Sequence, residues 1–333
     1  MMSDVLHLAA DLMAIDSTSG QEGELMAHVC LLLESRGWRA THIPVSPGRS
    51  NIFATACHQP LVTLSTHLDT VPPYIPPRVD GDTLWGRGAC DAKGIAAAMI
   101  LAAEILRERA VPVALLFVVG EEVSHDGAHA ANAVPTTSRV LIDGEPTEGK
   151  LALGTKGALR AVLRTAGVAA HSAYPQLGRS AITALVELLH ELPSLELPHD
   201  DVLGATTLNV GMLTGGVADN VIAPVAEARM MVRLVSDADA VWAMLERWVA
   251  GRATLERGSM VPAMKLHTLP GFDTAVVAFA TDVPALGRWG TPYLYGPGSI
   301  HVAHTPDERV TRAELLAAVN GYVRLAERAL AVR

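Results

Sequence analysis

The residues of this sequence best suited to chemistry are histidines and carboxylates that fall just after short β-branched runs. His67 and Asp69 follow Leu61–Ser65, Glu121 and Glu122 follow Val113–Val119, Glu145 follows Arg139–Ile142, and His301 and His304 follow Tyr293–Tyr295. Asp91 stands apart, in the loop WGRGACDAKG, where it is expected to open a helix. Oxygen and imidazole donors in such a set suit zinc, manganese or cobalt. Taken singly, each residue has a plainer reading. Asp91 serves equally as a helix N-cap, stabilised there by about 0.3–1 kcal/mol. The Glu121–Glu122 pair reads as solvated loop, and His7, His28, His42, His58, His190 and His199 as structural or exposed histidines. The combination argues for more, because the groups come from separate loops that are expected to converge on one sheet edge.

A sheet must position them. Strand-length runs at Asn51–Ala54, Leu61–Ser65, Val113–Val119 and Arg139–Ile142 are interspersed with helical spacing at Asp4–Ile15, Gln21–Arg36 and Asp91–Arg109. This predicts an α/β fold, a parallel or mixed sheet with helices on both faces. In such sheets ligands bind at the carboxyl ends of the strands, where loops carry side chains on a rigid base. From Gly157 the texture changes. ALRAVLRTAG reads as a strand, Ser180–Leu192 as a helix, and TLNVGMLTGG and EARMMVRLV as two more strands. That β-α-β-β order predicts a smaller α+β unit with an antiparallel sheet, inserted into the first. The expected division is 1–155 with 265–333, interrupted by 156–264; short strands and a helix from about Arg312 complete the chain.

A chain of 333 residues exceeds one ordinary domain of about 100–200 residues, which agrees with two. Its 26 basic and 35 acidic residues give a formal charge of −9, the wrong sign for a phosphate backbone, and no basic run offsets it locally. Nucleic acid is therefore excluded as an expected partner. Cys30, Cys57 and Cys90 are odd in number and form no CxxC, which argues against a disulfide framework or a thiolate zinc site and fits the reducing cytosol. With no basic leader and no apolar run of ~20 residues, the expectation is a cytoplasmic protein without a membrane partner.

The runs HLDTVP (67–72), WGRGACDAKG (85–94), GEE (120–122), GEPT (144–147), AHSAYP (170–175), GGVADNVIAP (215–224) and GPGSIHVAHTPDE (296–308) resemble, in order, those of the metal-dependent aminoacylases and deacylases, the family of acetylornithine deacetylase and succinyl-diaminopimelate desuccinylase. The resemblance implies a two-metal catalytic domain interrupted by a lid and dimerisation domain, and a homodimer. It implies that His67, Asp91, Glu122, Glu145 and His304 hold two divalent ions, zinc before cobalt or manganese. Asp91 would bridge them, His67 and Glu145 completing one site and Glu122 and His304 the other. Two such ions ~3.5–4 Å apart activate water and polarise a carbonyl. Asp69 would accept the other N–H of the His67 ring. Glu121 would carry the proton from water to the departing amine. His171 would stabilise the oxyanion, often from the partner subunit. Asn220 and Arg233 would meet the substrate, Arg233 through its bidentate fork, and Gly298 would offer a backbone N–H.

The substrate this implies is an N-acyl amino acid, N-acetylornithine first. N-acetylcitrulline, N-acetyl-lysine, carrier-linked lysine, succinyl-diaminopimelate and small dipeptides are the alternatives, and a non-catalytic metal-binding module is the alternative of another class. Glu121 speaks against the module, since a structural site has no need of a free carboxylate beside its ligands. His301, and Met231 where a carboxylate often precedes the lid arginine, depart from the family pattern and bear on specificity.

Overall fold

The computed structural model describes residues 4–332. The chain divides into two compact units: the first runs to Leu153 and resumes over Leu266–Ala275 and from Thr281, and the second comprises Gly154–Lys265 and Val276–Ala280.

The first unit is built on a six-stranded mixed sheet in the order Arg39–Ser46, Arg49–Thr55, Val113–Val118, Val62–His67, Val140–Asp143, Thr291–Leu294. The first two pairings are antiparallel and the remaining three parallel. Strands Val62–His67, Val113–Val118 and Val140–Asp143 are buried along their whole length, as parallel strands covered on both faces must be. Their side chains alternate between two cores. Leu115 and Phe117 join the helices Val5–Met13, Lys93–Glu108 and Arg312–Ala331 on one face, while Leu116 and Val118 meet Ala128, Ala131 and Trp289 on the other. Each such large apolar side chain contributes about 1.5–3 kcal/mol on burial. Ala96, Ala97, Ala98, Ala102 and Ala103 leave the Lys93–Glu108 helix small enough to bury nearly all round. The last helix is fixed at its start by a capping box between Thr311 and Glu314.

Two features differ from the sequence expectation. The Lys93–Glu108 helix begins two residues after Asp91, so Asp91 neither opens nor caps it. Arg39–Ser46 is a strand that the apolar pattern does not announce, because it lies at the sheet edge, mostly exposed, with Pro44 within it.

The second unit is a four-stranded antiparallel sheet in the order Thr207–Gly215, Val225–Leu234, Gly157–Ala166, Thr254–Val261. Helices Ala181–Glu191 and Ala238–Val249 pack on one face, Leu185, Leu188, Val241 and Leu245 sharing a core with Leu159, Leu163, Ala228 and Val232. Ser180 and Asp237 cap these helices through hydrogen bonds to the backbone N–H groups of Thr183 and Ala240. The order of its principal elements is β-α-β-β-α-β, and the expected β-α-β-β lacked the helix Ala238–Val249 and the strand Thr254–Val261. No helix among the described residues is long and apolar enough to cross a membrane.

Candidate metal centre

His67 ends its strand, and its Nε2 lies 2.9 Å from Asp91 Oδ1. The other oxygen of Asp91, Oδ2, lies 3.2 Å from His304 Nε2, which is also 2.9 Å from Glu122 Oε1. His67, Asp91 and Glu145 form one group whose potential ligand atoms all lie within 4.8 Å of one another, and Asp91, Glu122 and His304 form a second. Asp91 belongs to both and turns one oxygen to each histidine. Five loops thus converge, four from the carboxyl ends of parallel strands. Only Asp91 comes from elsewhere, and His304, in the long loop after Thr291–Leu294, sits on a left-handed turn with φ 62°.

Buried polar contacts fix these loops. Glu308, fully buried, accepts hydrogen bonds at Oε1 from the backbone N–H groups of Gly88 at 2.9 Å, Cys90 at 3.3 Å and Asp91 at 3.2 Å, while Arg87 reaches Oε2 at 2.6 Å. The Glu121–Glu122 loop stands on Asp69, whose carboxylate accepts the N–H of Glu121 at 3.0 Å and of Glu122 at 3.2 Å and the hydroxyl of Ser19 at 2.7 Å. Arg49, bridging Glu22 and Asp126, and Asn51, which holds Val119 N–H and the Gly127 carbonyl, pin its two ends. Gly120 has φ 75°, and a Cβ there would stand 2.1 Å from Asp126 Oδ1, so the position demands glycine.

Asp69 therefore acts differently from the expectation. Its carboxylate lies 3.6 Å from His67 Nδ1, and the ring's hydrogen bond goes instead to the Asp69 backbone carbonyl at 3.0 Å. The peptide group orients the imidazole, leaving the carboxylate to hold the glutamate loop. Sequence reasoning missed Glu308, Arg87, Arg49, Glu22 and Asn51; of these, Glu308 and Arg87 sat inside quoted motifs, while the others carried no local signal.

Residues 153–254 match the family model for the peptidase dimerisation domain. A peptidase M20 domain-containing protein of Schizosaccharomyces pombe is 38% identical over 97% of this chain and 84% of its own length. A probable carboxypeptidase of Aspergillus clavatus is 38% identical over 98% of this chain and 83% of its own. The chain belongs to the peptidase M20 family. It is thus an enzyme of a hydrolase family. In fold it is also similar to an M20 family metallo-carboxypeptidase from Sulfolobus solfataricus, with a TM-score of 0.77 and 16% identity over 98% of this chain and 99% of the other.

The electrostatics of this M20 chain follow from crowding carboxylates into a buried site. Burial and the neighbouring acids push the carboxyls of Glu121 and Glu145 well above the usual range, and burial raises Glu122 as well. Burial works against a charged His67, but Asp69 and Asp91 hold the ring well above its ordinary value. His304 is pushed up to about 10 by Asp91 and Glu122. Asp91 goes the other way: His304 and His67 keep it below the usual carboxylate range despite its burial. Acids that favour a proton around two imidazoles that favour a charge make a site demanding positive charge. One imidazole and two carboxylates per group, with one carboxylate shared, is a donor set that fits a pair of divalent ions.

The other expected site residues are divided between the two units. Gly298, in the first unit, is buried, and its φ of 76° and its approach to Cys90 leave no room for a side chain. His301 is exposed. His171, Asn220 and Arg233 belong to the second unit. There the backbone brings the first two together: Asn220 accepts the N–H of Ser172 at 3.0 Å, and His171 is bridged to Val221. His171 is exposed, with Nδ1 accepting the N–H of Ala173 at 3.1 Å. Arg233 is half-buried, and burial together with Arg160 lowers its pKa.

Proposed function

We propose that the protein is a two-metal amidohydrolase that hydrolyses the amide bond between an acyl group and the nitrogen of an amino acid bearing a free carboxylate. The observation that carries this is Asp91, shared by two donor groups with the unligated carboxylate of Glu121 on the same loop as Glu122. In this reading His67, Asp91 and Glu145 hold one ion and Asp91, Glu122 and His304 the other. When bound, the ions supply Lewis acidity toward water and toward the scissile carbonyl. Glu121 accepts the proton of the attacking water and passes it to the departing amine, a role suited to a buried carboxyl that burial and its acidic neighbours hold above the usual range. His171 donates to the oxyanion, Gly298 offers a backbone N–H, and Asn220 and Arg233 hold the carboxylate. The dimerisation-domain match supports a homodimer.

The substrate class covers the C-terminal residue of a short peptide as well as N-acyl amino acids such as N-acetylornithine. The name of the Aspergillus clavatus relative, a probable carboxypeptidase, supports trying peptides first. The test is a panel of dipeptides, tripeptides and N-acyl amino acids assayed with zinc, cobalt and manganese after chelation. Hydrolysis restored by metal, and lost by about 10²–10⁴-fold in Glu121→Gln with both ions retained, is the expected result. Full turnover by thoroughly chelated protein would overturn the reading. Mixing His171→Ala with Glu121→Gln protein asks whether His171 serves the partner, since a mixed dimer would then assemble one intact site.

A further inference from the structure

The loop that carries Glu121 also carries a histidine that neither donor group uses. His125 has a left-handed backbone, φ 54°, and its N–H closes the loop onto the Gly120 carbonyl at 2.8 Å. Its Nδ1 lies 2.8 Å from Asp282 Oδ1 and 3.9 Å from Glu121 Oε1. Asp282 comes from a segment 157 residues away and is 2% exposed, and its second oxygen, Oδ2, is buried with no hydrogen-bond partner among the described residues. A buried carboxylate with one oxygen unpartnered is costly, so its single strong bond to His125 calls for a reason. The backbone holds Asp282 in place: its carbonyl accepts the N–H of Ala285 at 2.9 Å, ahead of the short helix Val283–Leu286.

The carboxyl of Glu121 has no hydrogen bond of its own among the described residues, and its side chain is only 10% exposed. The imidazole edge of His125 is thus the polar wall on one flank of that carboxyl. We propose that His125, fixed by Asp282, is a positioning residue for Glu121, an inference that rests on the reading of Glu121 as the proton carrier. The ring Nδ1–H is donated to Asp282, which locks the imidazole plane, and the same polar edge attracts and confines Glu121 Oε1. Without it the carboxyl is free to rotate away from the donor groups. A displacement of about 1 Å at a reacting group is enough to cost ~10²-fold in rate.

The test uses the full-length, metal-loaded enzyme and reads kcat, KM and bound metal separately. His125→Ala is expected to lower kcat about 10- to 100-fold with KM and metal content unchanged. His125→Asn, which retains an N–H on that side and tolerates the left-handed backbone, is expected to restore most of the loss. In a Glu121→Asp background, whose shorter carboxylate no longer reaches His125, His125→Ala is expected to add little. Normal kcat in His125→Ala, an equal fold-loss in both backgrounds, or loss of metal with loss of rate would each overturn the proposal. Should His125→Ala fail to fold, Asp282→Asn makes the same test without touching the left-handed residue, and normal kcat there overturns it equally. Near-normal turnover of Glu121→Gln would instead remove the reading of Glu121 itself, whereas an inactive Glu121→Gln beside a normal His125→Ala removes only the positioning role.

Discussion

The two donor groups share Asp91 yet differ in their surroundings. His67 and Glu145 are 2% and 4% exposed, whereas the His304 side chain is 46% exposed and sits on a left-handed turn outside the sheet. His67 and Glu145 stand at or just past the ends of buried parallel strands. Glu122 and His304 stand farther out on the loops that follow theirs, and the backbone of Glu122 is held by the buried Asp69. A site built this way has one half held by packing and one half open to solvent. The difference predicts one tightly held ion and one exchangeable ion.

Asp91 is the place to break that comparison most severely, since its two oxygens face both halves. Asp91→Ala is expected to empty both halves and lower turnover at least about 10³-fold, beyond the ~10–100-fold typical of losing a group that only supports a ligand. Metal analysis of the purified variant checks this. Retention of one full equivalent would show that the halves bind independently.

A smaller effect separates the halves. In chelated protein, His67→Ala is expected to cost about 1–3 kcal/mol in unfolding free energy, because it leaves buried carboxylates without their partner. His304→Asn, which tolerates the left-handed backbone, is expected to cost no more than about 1 kcal/mol, as for an exposed pair. Denaturant unfolding of both variants in chelator measures the difference. Metal titration is expected to show His304→Asn retaining one tight ion. Equal stability losses would mean that burial does not distinguish the two groups.

The same contrast explains what could be read from the sequence. His67, Glu121, Glu122 and Glu145 stood out because each follows an apolar run whose strand character is plain. Asp91 was misplaced at a helix start because Asp before a run of helix formers is the usual capping pattern, and the diversion of its N–H to Glu308, 217 residues away, has no local trace. His304 stood after the run Tyr293–Tyr295 beside His301, and only the motif resemblance chose between the two. His125 stood in view four residues after Glu121, but its partner Asp282 lies 157 residues on, and only the fold brings them together. In the second unit the missed helix Ala238–Val249 did carry signals, Asp237 as cap and Val241, Leu245 and Trp248 at helical spacing.

The smallest expected effect is a proton count, and it sharpens the comparison at the open half. His304 carries a pKa of about 10 against an ordinary 6.5, because Asp91 and Glu122 hold its proton. A ligating imidazole must shed that proton, so metal entry is expected to release it and apparent affinity to rise with pH between about 6.5 and 10. The folded value is the raised one, so in chelated protein the contribution of His304 to stability is complete below about 6.5 and is lost as the pH rises through about 10. Its exposure screens that contribution, so the proton count is the better readout. Mixing chelator-stripped, desalted protein with zinc or cobalt chloride near pH 8 in weak buffer measures it. His304→Asn is expected to release about one proton fewer per chain than the parent. Equal release from both would mean that Glu122 and Asp91 do not hold the His304 proton, and that the open half is organised by something other than this imidazole.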